Sequence, residues 1–201
     1  ADADSQAFRH LAPSTTTFAL SHAGDGDWAD YIVSAKMKMV GALNPTLKTG
    51  GYSAGIVFRY LDANNFYHLR LDHNFGTGVS KVQLYRWVNG APSNLREVVY
   101  DWTDGQWYTL KAAVRGNQID AYVNGVLMFS VTDSSLAAGK VGFRTYGAEA
   151  LFDDVIVTDW GEGGGPSVDL TALEDAIHYA ESLLARHPAG DQPGEGPQEA
   201  A

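Results

Sequence analysis

Residues 53–72, SAGIVFRYLDANNFYHLRLD, place the tightest constraint on what this chain can fold into. Ile56, Phe58 and Tyr60 alternate with Gly55, Val57 and Arg59. After an Asp62-Ala63-Asn64-Asn65 turn, Tyr67, Leu69 and Leu71 alternate with Phe66, His68 and Arg70. A period of two belongs to β-strands, whose successive side chains point to opposite faces. The stretch therefore predicts a half-buried hairpin with one greasy face and one face carrying donors. Lys81 to Trp87 repeats the pattern, with Val82 and Leu84 inward and Gln83, Tyr85 and Trp87 on the side of His68 and Arg70. If these strands are neighbours, their polar side chains share a surface.

The same period runs through most of the chain. TTTFALS reads as a short strand. Trp28 opens a long one in which Tyr31, Val33, Ala35, Met37 and Met39 are the expected core positions. Asn89-Gly90 and Asn124-Gly125 mark tight hairpins, because both positions of such a turn must accept positive φ. Residues 95–102, 107–115, 117–123, 126–131, GKVGFRTYG and ALFDDVIVTDW complete about a dozen short strands, with turn signals every 8–12 residues. That spacing predicts an all-β antiparallel sandwich over residues 1–160.

Helical periodicity enters only beyond a Gly-rich linker at 161–168. Thr171-Ala-Leu-Glu174 has the spacing of a capping box, and Leu173, Ile177, Ala180 and Leu184 form an apolar stripe. An appended amphipathic helix is expected over 169–187, followed by a tail at 188–201 whose composition predicts disorder.

The net charge of −10 argues against nucleic acid or an anionic membrane as partner, since both are bound through positive surface. Residues 161–201 hold eight acids against one base, so the remainder is close to balanced. The chain has no cysteine, which excludes disulfides and thiolate metal sites, and no run of about 18 apolar residues to span a bilayer. It starts at Ala1 without a charged-then-apolar leader, as expected of a mature or excised extracellular domain.

The phrases GIVFRYLDANNFYHLRLD, VQLYRW, DGQWYTLKAAVRGNQIDAYVNG and VTDSSLAAGKVGFRTYGAEALFDDVIV, in that order, resemble the concanavalin A-like, laminin-G-like jelly rolls. The likeness covers roughly residues 15–158. It is greatest to the bacterial group of levan-binding-type carbohydrate modules and keto-disaccharide hydrolase-like domains. The resemblance implies a jelly-roll fold, a glycan ligand on loops or on the concave sheet, and a structural calcium. VDLTALEDAIHYAESLLA is similar to the start of a FIVAR-type helical repeat, which implies a multimodular secreted parent chain with other domains as neighbours.

Arg59, His68, Arg70, Gln83, Tyr85 and Trp87 are the expected ligand-binding row. Sugar recognition needs rings against the apolar C–H face and planar groups that pair with vicinal hydroxyls, and this row contains both. Its arginines also suit an anionic glycan. Trp28 and Trp107 each begin a strand beside apolar residues and are expected in the core or at its rim. Asp25 and Asp27, with Asp153, supply the oxygens a calcium ion takes at about 2.3–2.6 Å, provided the first and last strands adjoin.

Catalytic patterns are scarce. The Glu-x-Asp-x-x-Glu strand of jelly-roll glucanases and the Gln-x-His pattern of jelly-roll lyases are absent, and residues 1–160 contain only Glu97 and Glu149. The expected function is a monomeric, non-catalytic module that binds a polysaccharide or oligosaccharide. One alternative is a polysaccharide lyase or keto-glycoside-processing domain with Tyr85 or His68 as base and Arg59 or Arg70 neutralising a uronate. The other is a structural or protein-interaction module.

Overall fold

The computed structural model describes residues 7–12, 14–46 and 49–160; the expected linker, helix and tail lie outside the described residues. Twelve strands follow in chain order: β1 Phe8–Leu11, β2 Phe18–Ala23, β3 Tyr31–Ala42, β4 Gly51–Asp62, β5 Asn65–Asn74, β6 Val79–Val88, β7 Ala91–Val99, β8 Trp107–Arg115, β9 Gln118–Val123, β10 Val126–Thr132, β11 Lys140–Tyr146 and β12 Ala148–Asp159. They form two six-stranded sheets. The back sheet has the order β1-β12-β3-β8-β9-β10, and the front sheet β2-β11-β4-β5-β6-β7. Every pairing in them is antiparallel.

The expected all-β antiparallel sandwich is what the chain builds. Tyr31, Val33, Ala35, Met37 and Met39 turn inward from β3 and meet Ile56, Phe58, Tyr67, Leu69, Leu71 and Phe143 from the front sheet in one core. Phe143 of the front sheet stacks on Phe152 of the back sheet at 4.0 Å between ring centres. Asn89-Gly90 and Asn124-Gly125 have φ of 52°, 77°, 50° and 80°, which is why they close the β6–β7 and β9–β10 hairpins. The strands depart from the sequence reading at several places: β2 runs Phe18–Ala23 and β3 begins at Tyr31, three residues past Trp28. FRHL was too short to mark β1, which exists because it pairs with β12, and β7 starts directly after its turn at Ala91, not at 95. Trp28 packs on the core just ahead of β3, edge-on to Tyr31, and Trp107 opens β8.

A β-bulge in β4 reverses the alternation that the sequence suggests. Val57 faces Gly142 and Tyr60 faces Lys140, three steps along β4 against two along β11. Arg59 occupies the bulge with a φ of 45°, an unusual conformation for a side chain with a Cβ. It turns inward and is fully buried. Its guanidinium donates to the carbonyl of Ala29 (2.9 and 3.3 Å), to Gly116 (2.8 Å) and to Leu136 (3.0 Å), and its backbone N–H donates to Tyr31 Oη at 2.8 Å. Three connections, before β3, between β8 and β9, and between β10 and β11, are thereby held by one side chain. Past the bulge Tyr60 points outward, where Val57, Tyr60 and Phe66 form a small apolar cluster backed by Leu20 and Trp87.

Removing the Arg59 head leaves three carbonyls without its donors, at about 1–3 kcal/mol for each one left unsatisfied. Urea unfolding of Arg59→Met is expected to show a loss of at least ~3 kcal/mol, with Arg59→Lys rescuing little because an ammonium lacks the planar fork. A loss below ~1 kcal/mol contradicts the role.

His10 provides a pH test of the packing. Its ring is buried between Thr145 Oγ1 at 2.9 Å and Ser21 Oγ at 3.1 Å, and burial lowers its pKa to about 4. The folded protein keeps the ring neutral while the unfolded chain protonates it below about pH 6.5. This contribution is therefore complete above pH 6.5 and is lost as pH falls toward 4. The urea midpoint is expected to drop between pH 7 and pH 5, and to drop less in His10→Gln. Equal drops in both proteins contradict the assignment.

Candidate functional site

The outer face of the front sheet is laid out as cross-strand rows. Arg144 of β11 lies opposite Gly55 of β4, Gly55 opposite Arg70 of β5, Arg70 opposite Gln83 of β6, and Gln83 opposite Glu97 of β7. The next row runs Tyr146, Ser53, Asp72 and Lys81. Above these rows opens a cleft of about 370 Å³, lined by Arg70, Asp72, Gln83, Tyr85, Trp87, Arg144 and Tyr146, with Gly51, Asn74 and Pro92 at its margin.

Four of the six residues expected to share a surface line this cleft: Arg70, Gln83, Tyr85 and Trp87. Arg59 is placed elsewhere, since the bulge drives it into the interior. His68 lies on the outer face but beneath its neighbours and is fully buried. Both its ring nitrogens are enclosed, and the ring faces the Arg144 backbone across β4. Burial first, then the charges of Arg144 and Arg70, holds its pKa well below the ordinary histidine value, so the ring is neutral.

The polar row is linked by hydrogen bonds in one direction. Arg70 Nε and Nη2 donate to Gln83 Oε1 at 2.9 and 2.7 Å, and Gln83 Nε2 donates to Glu97 Oε2 at 2.8 Å. Glu97 also accepts from Asn94 at 2.7 Å and pairs with Lys81. These partners hold its carboxyl below the usual range, the Lys81 hydrogen bond contributing most. Arg70 pairs with Asp72 at 3.2 Å and lies over the Tyr85 ring at 4.2 Å. The acids at the cleft are therefore already committed to partners.

The aromatic wall is engaged in the same way. Trp87 stacks on Phe66 at 4.8 Å and 12°, lies 5.4 Å from Tyr85, and carries the Arg144 guanidinium 4.7 Å from its ring centre. The wall is a set of braced rings with planar donors between them.

Sequence reading missed Arg144 and Tyr146. The signal was present: in β11 Val141 and Phe143 face the core, and Thr145 reaches buried His10, so Gly142, Arg144 and Tyr146 fall on the outer face. What hid them was the pairing of β11 with β4, a contact between segments more than eighty residues apart.

Between Arg144 and Arg70 the row holds Gly55, which carries no side chain. A Cβ there would stand 2.0 Å from the carbonyl oxygen of Leu69, so only glycine fits. The two arginines, one strand to either side, are separated by about 10 Å of interstrand spacing.

Asp25 and Asp27 sit in the connection from β2 of the front sheet, whereas Asp153 is on β12 of the back sheet. Among the described residues no three His, Asp or Glu side chains form a metal-ligating group. The three aspartates expected to share a calcium are set apart along the β3–β12 pair: Asp153 faces Lys36, whereas Asp25 and Asp27 precede Tyr31, which faces Asp159 at the pair's other end.

Among curated proteins, the fructan beta-fructosidase of Streptococcus mutans serotype c is 34% identical over 135 residues, which are 64% of this chain and 9% of that protein. The chain thus spans a small part of that relative. Among solved structures, the carbohydrate binding module CBM66 from Bacillus subtilis superposes with a TM-score of 0.55 at 20% identity, covering 74% of this chain and 98% of that one. The xylan beta-1,4-xylosidase from Bacillus halodurans C-125 gives a TM-score of 0.56 at 15% identity, over 75% of this chain and 32% of that one. At these identities the two structures establish a shared fold. The family model described as 3-keto-alpha-glucoside-1,2-lyase-like domain matches residues 15–158, in a single span from the connection ahead of β2 to the end of β12. With most of its length so matched, the chain belongs to the 3-keto-alpha-glucoside-1,2-lyase-like domain family.

Proposed function

We propose that the domain is a non-catalytic saccharide-binding module that holds a short sugar unit in the cleft between Arg70 and Arg144, as an ancillary part of a secreted multimodular glycan-processing enzyme. The observation that carries this reading is the cleft in which Arg144, Arg70 and Gln83 of one cross-strand row meet the rings of Tyr85 and Trp87. Planar donors fixed beside ring edges suit vicinal hydroxyls, and a cleft near the lower end of the ~300–1,000 Å³ range of small-molecule sites suits a short unit. The multimodular setting is supported by the small fraction of the Streptococcus mutans fructosidase that the chain matches, and the binding role by the carbohydrate-binding name of the CBM66 structure, which aligns over nearly its whole length.

The family description favours a second reading, a lyase acting in the same cleft. Of its two expected bases, Tyr85 lines the cleft and His68 is sealed beneath the face, and the nearby acids Asp72 and Glu97 are paired.

Affinity electrophoresis against fructan, glucan, xylan and uronan separates the two. Retention on at least one glycan is expected, weakened ~10–100-fold in Arg70→Ala and in Gln83→Ala, as for loss of hydrogen bonds to charged groups. Lys111→Ala, on the back sheet, serves as the control that keeps wild-type retention. Unchanged retention in both cleft variants removes the assigned face, and release of unsaturated or reducing sugar from the bound glycan replaces binding with lyase chemistry.

A further inference from the structure

We propose that the saccharide taken by this cleft carries a carboxylate, as a uronate does, and that Arg144 receives it; the proposal rests on the saccharide-binding reading above. Of the two cations that line the cleft, Arg70 and Arg144, one lacks a counter-charge among the described residues. Arg70 is paired with Asp72, Lys81 with Glu97, and Arg86 with Asp133 at 2.6 Å. His68 is neutral. Among the described residues Arg144 has no acidic partner and makes no side-chain hydrogen bond, although only 7% of its surface is exposed.

A buried guanidinium without a counter-charge is unfavourable, and a fold retains one where something else completes it. Part of the completion is built in. Phe18 holds the Arg144 head at 4.4 Å and Trp87 at 4.7 Å, so ring faces steady the cation and fix its plane. Its Nε is enclosed without a partner. Burial and the neighbouring charge of Arg70 lower the pKa to about 10, which leaves the group charged at neutral pH. The head lines the cleft from β11, across Gly55 from Arg70.

A carboxylate is the chemistry that matches this geometry. It is planar, accepts two parallel N–H bonds from a guanidinium, and supplies the missing charge. Tyr146, beside Arg144 at the same end of the cleft, and Arg70 with Gln83 on the far side of Gly55 remain for the ring hydroxyls. The division of labour is thus an acid-receiving end on β11 and a hydroxyl-receiving end on β5 and β6.

Isothermal titration of the whole chain with galacturonate and glucuronate oligosaccharides, with their carboxyl-reduced neutral counterparts, and with a sulfated neutral oligosaccharide tests the assignment. The acidic sugars are expected to bind at least ~10-fold more tightly than the reduced ones, as for a charge-assisted pair, and the margin to shrink with added salt. In Arg144→Gln the preference is expected to collapse to within ~2-fold, and in Arg144→Lys to fall to an intermediate level. The wild-type comparison stands even if a variant fails to fold. Equal or tighter binding of the neutral sugars overturns the carboxylate while leaving saccharide binding in place. Equal binding of the sulfated sugar also overturns it, in favour of a general anion site. Failure of every sugar to bind overturns both the proposal and the reading beneath it.

Discussion

Arg59 is the constraint on which the rest of the front sheet depends. By accepting a left-handed φ it inserts an extra residue into β4 and sends its own guanidinium inward to three loop carbonyls. The same insertion flips Tyr60 to the outside, where it joins Val57 and Phe66 and stacks on His22 at 4.4 Å. That outer cluster supports Trp87, and Trp87 in turn carries Arg144. Backbone strain at one residue, of the order of 1 kcal/mol, is offset by at least three charge-assisted hydrogen bonds. The position of the cleft wall follows from it.

Beyond the bulge, the face is organised by who is paired with whom. Acids and bases on β5, β6 and β7 neutralise one another, and the hydrogen-bonded chain from Arg70 through Gln83 to Glu97 fixes each head group in place. Preorganised donors lose little freedom when a ligand arrives, so the hydrogen bonds they form count more fully toward affinity. On the β11 side this order stops at Gly55, leaving Arg144 braced by rings alone. The asymmetry between the two ends of the row is the most informative chemical feature of the described structure.

Much of this was legible before the fold was known. The strand parity of β5 and β6 placed Arg70, Gln83, Tyr85 and Trp87 together because neither strand carries a bulge between those positions, and the Asn-Gly turns located two hairpins. Parity failed at Arg59 because a bulge has no reliable mark in the sequence when the residue occupying it is not glycine. His68 was assigned to the correct face and still proved inaccessible, since alternation reports direction and says nothing of what covers a side chain. Arg144 and Tyr146 escaped because strand order is a long-range property: the sequence shows that β11 is a strand, and only the folded sheet shows that it lies beside β4. The Asp25, Asp27 and Asp153 set shows the same limit from the other side, with an assumed adjacency that the register of β3 on β12 does not provide.

The proposed saccharide occupies the cleft between Arg70 and Arg144. Titrating the isotopically labelled protein with fructan and galacturonan oligosaccharides, while following backbone amides, arginine Nε–H signals and the Trp87 indole, tests it most directly. The account predicts that the largest shifts fall on Gly55, Arg70, Gln83, Trp87 and Arg144, with the back sheet unmoved. Shifts concentrated on the back sheet, or on the turns at the ends of the sandwich, contradict it.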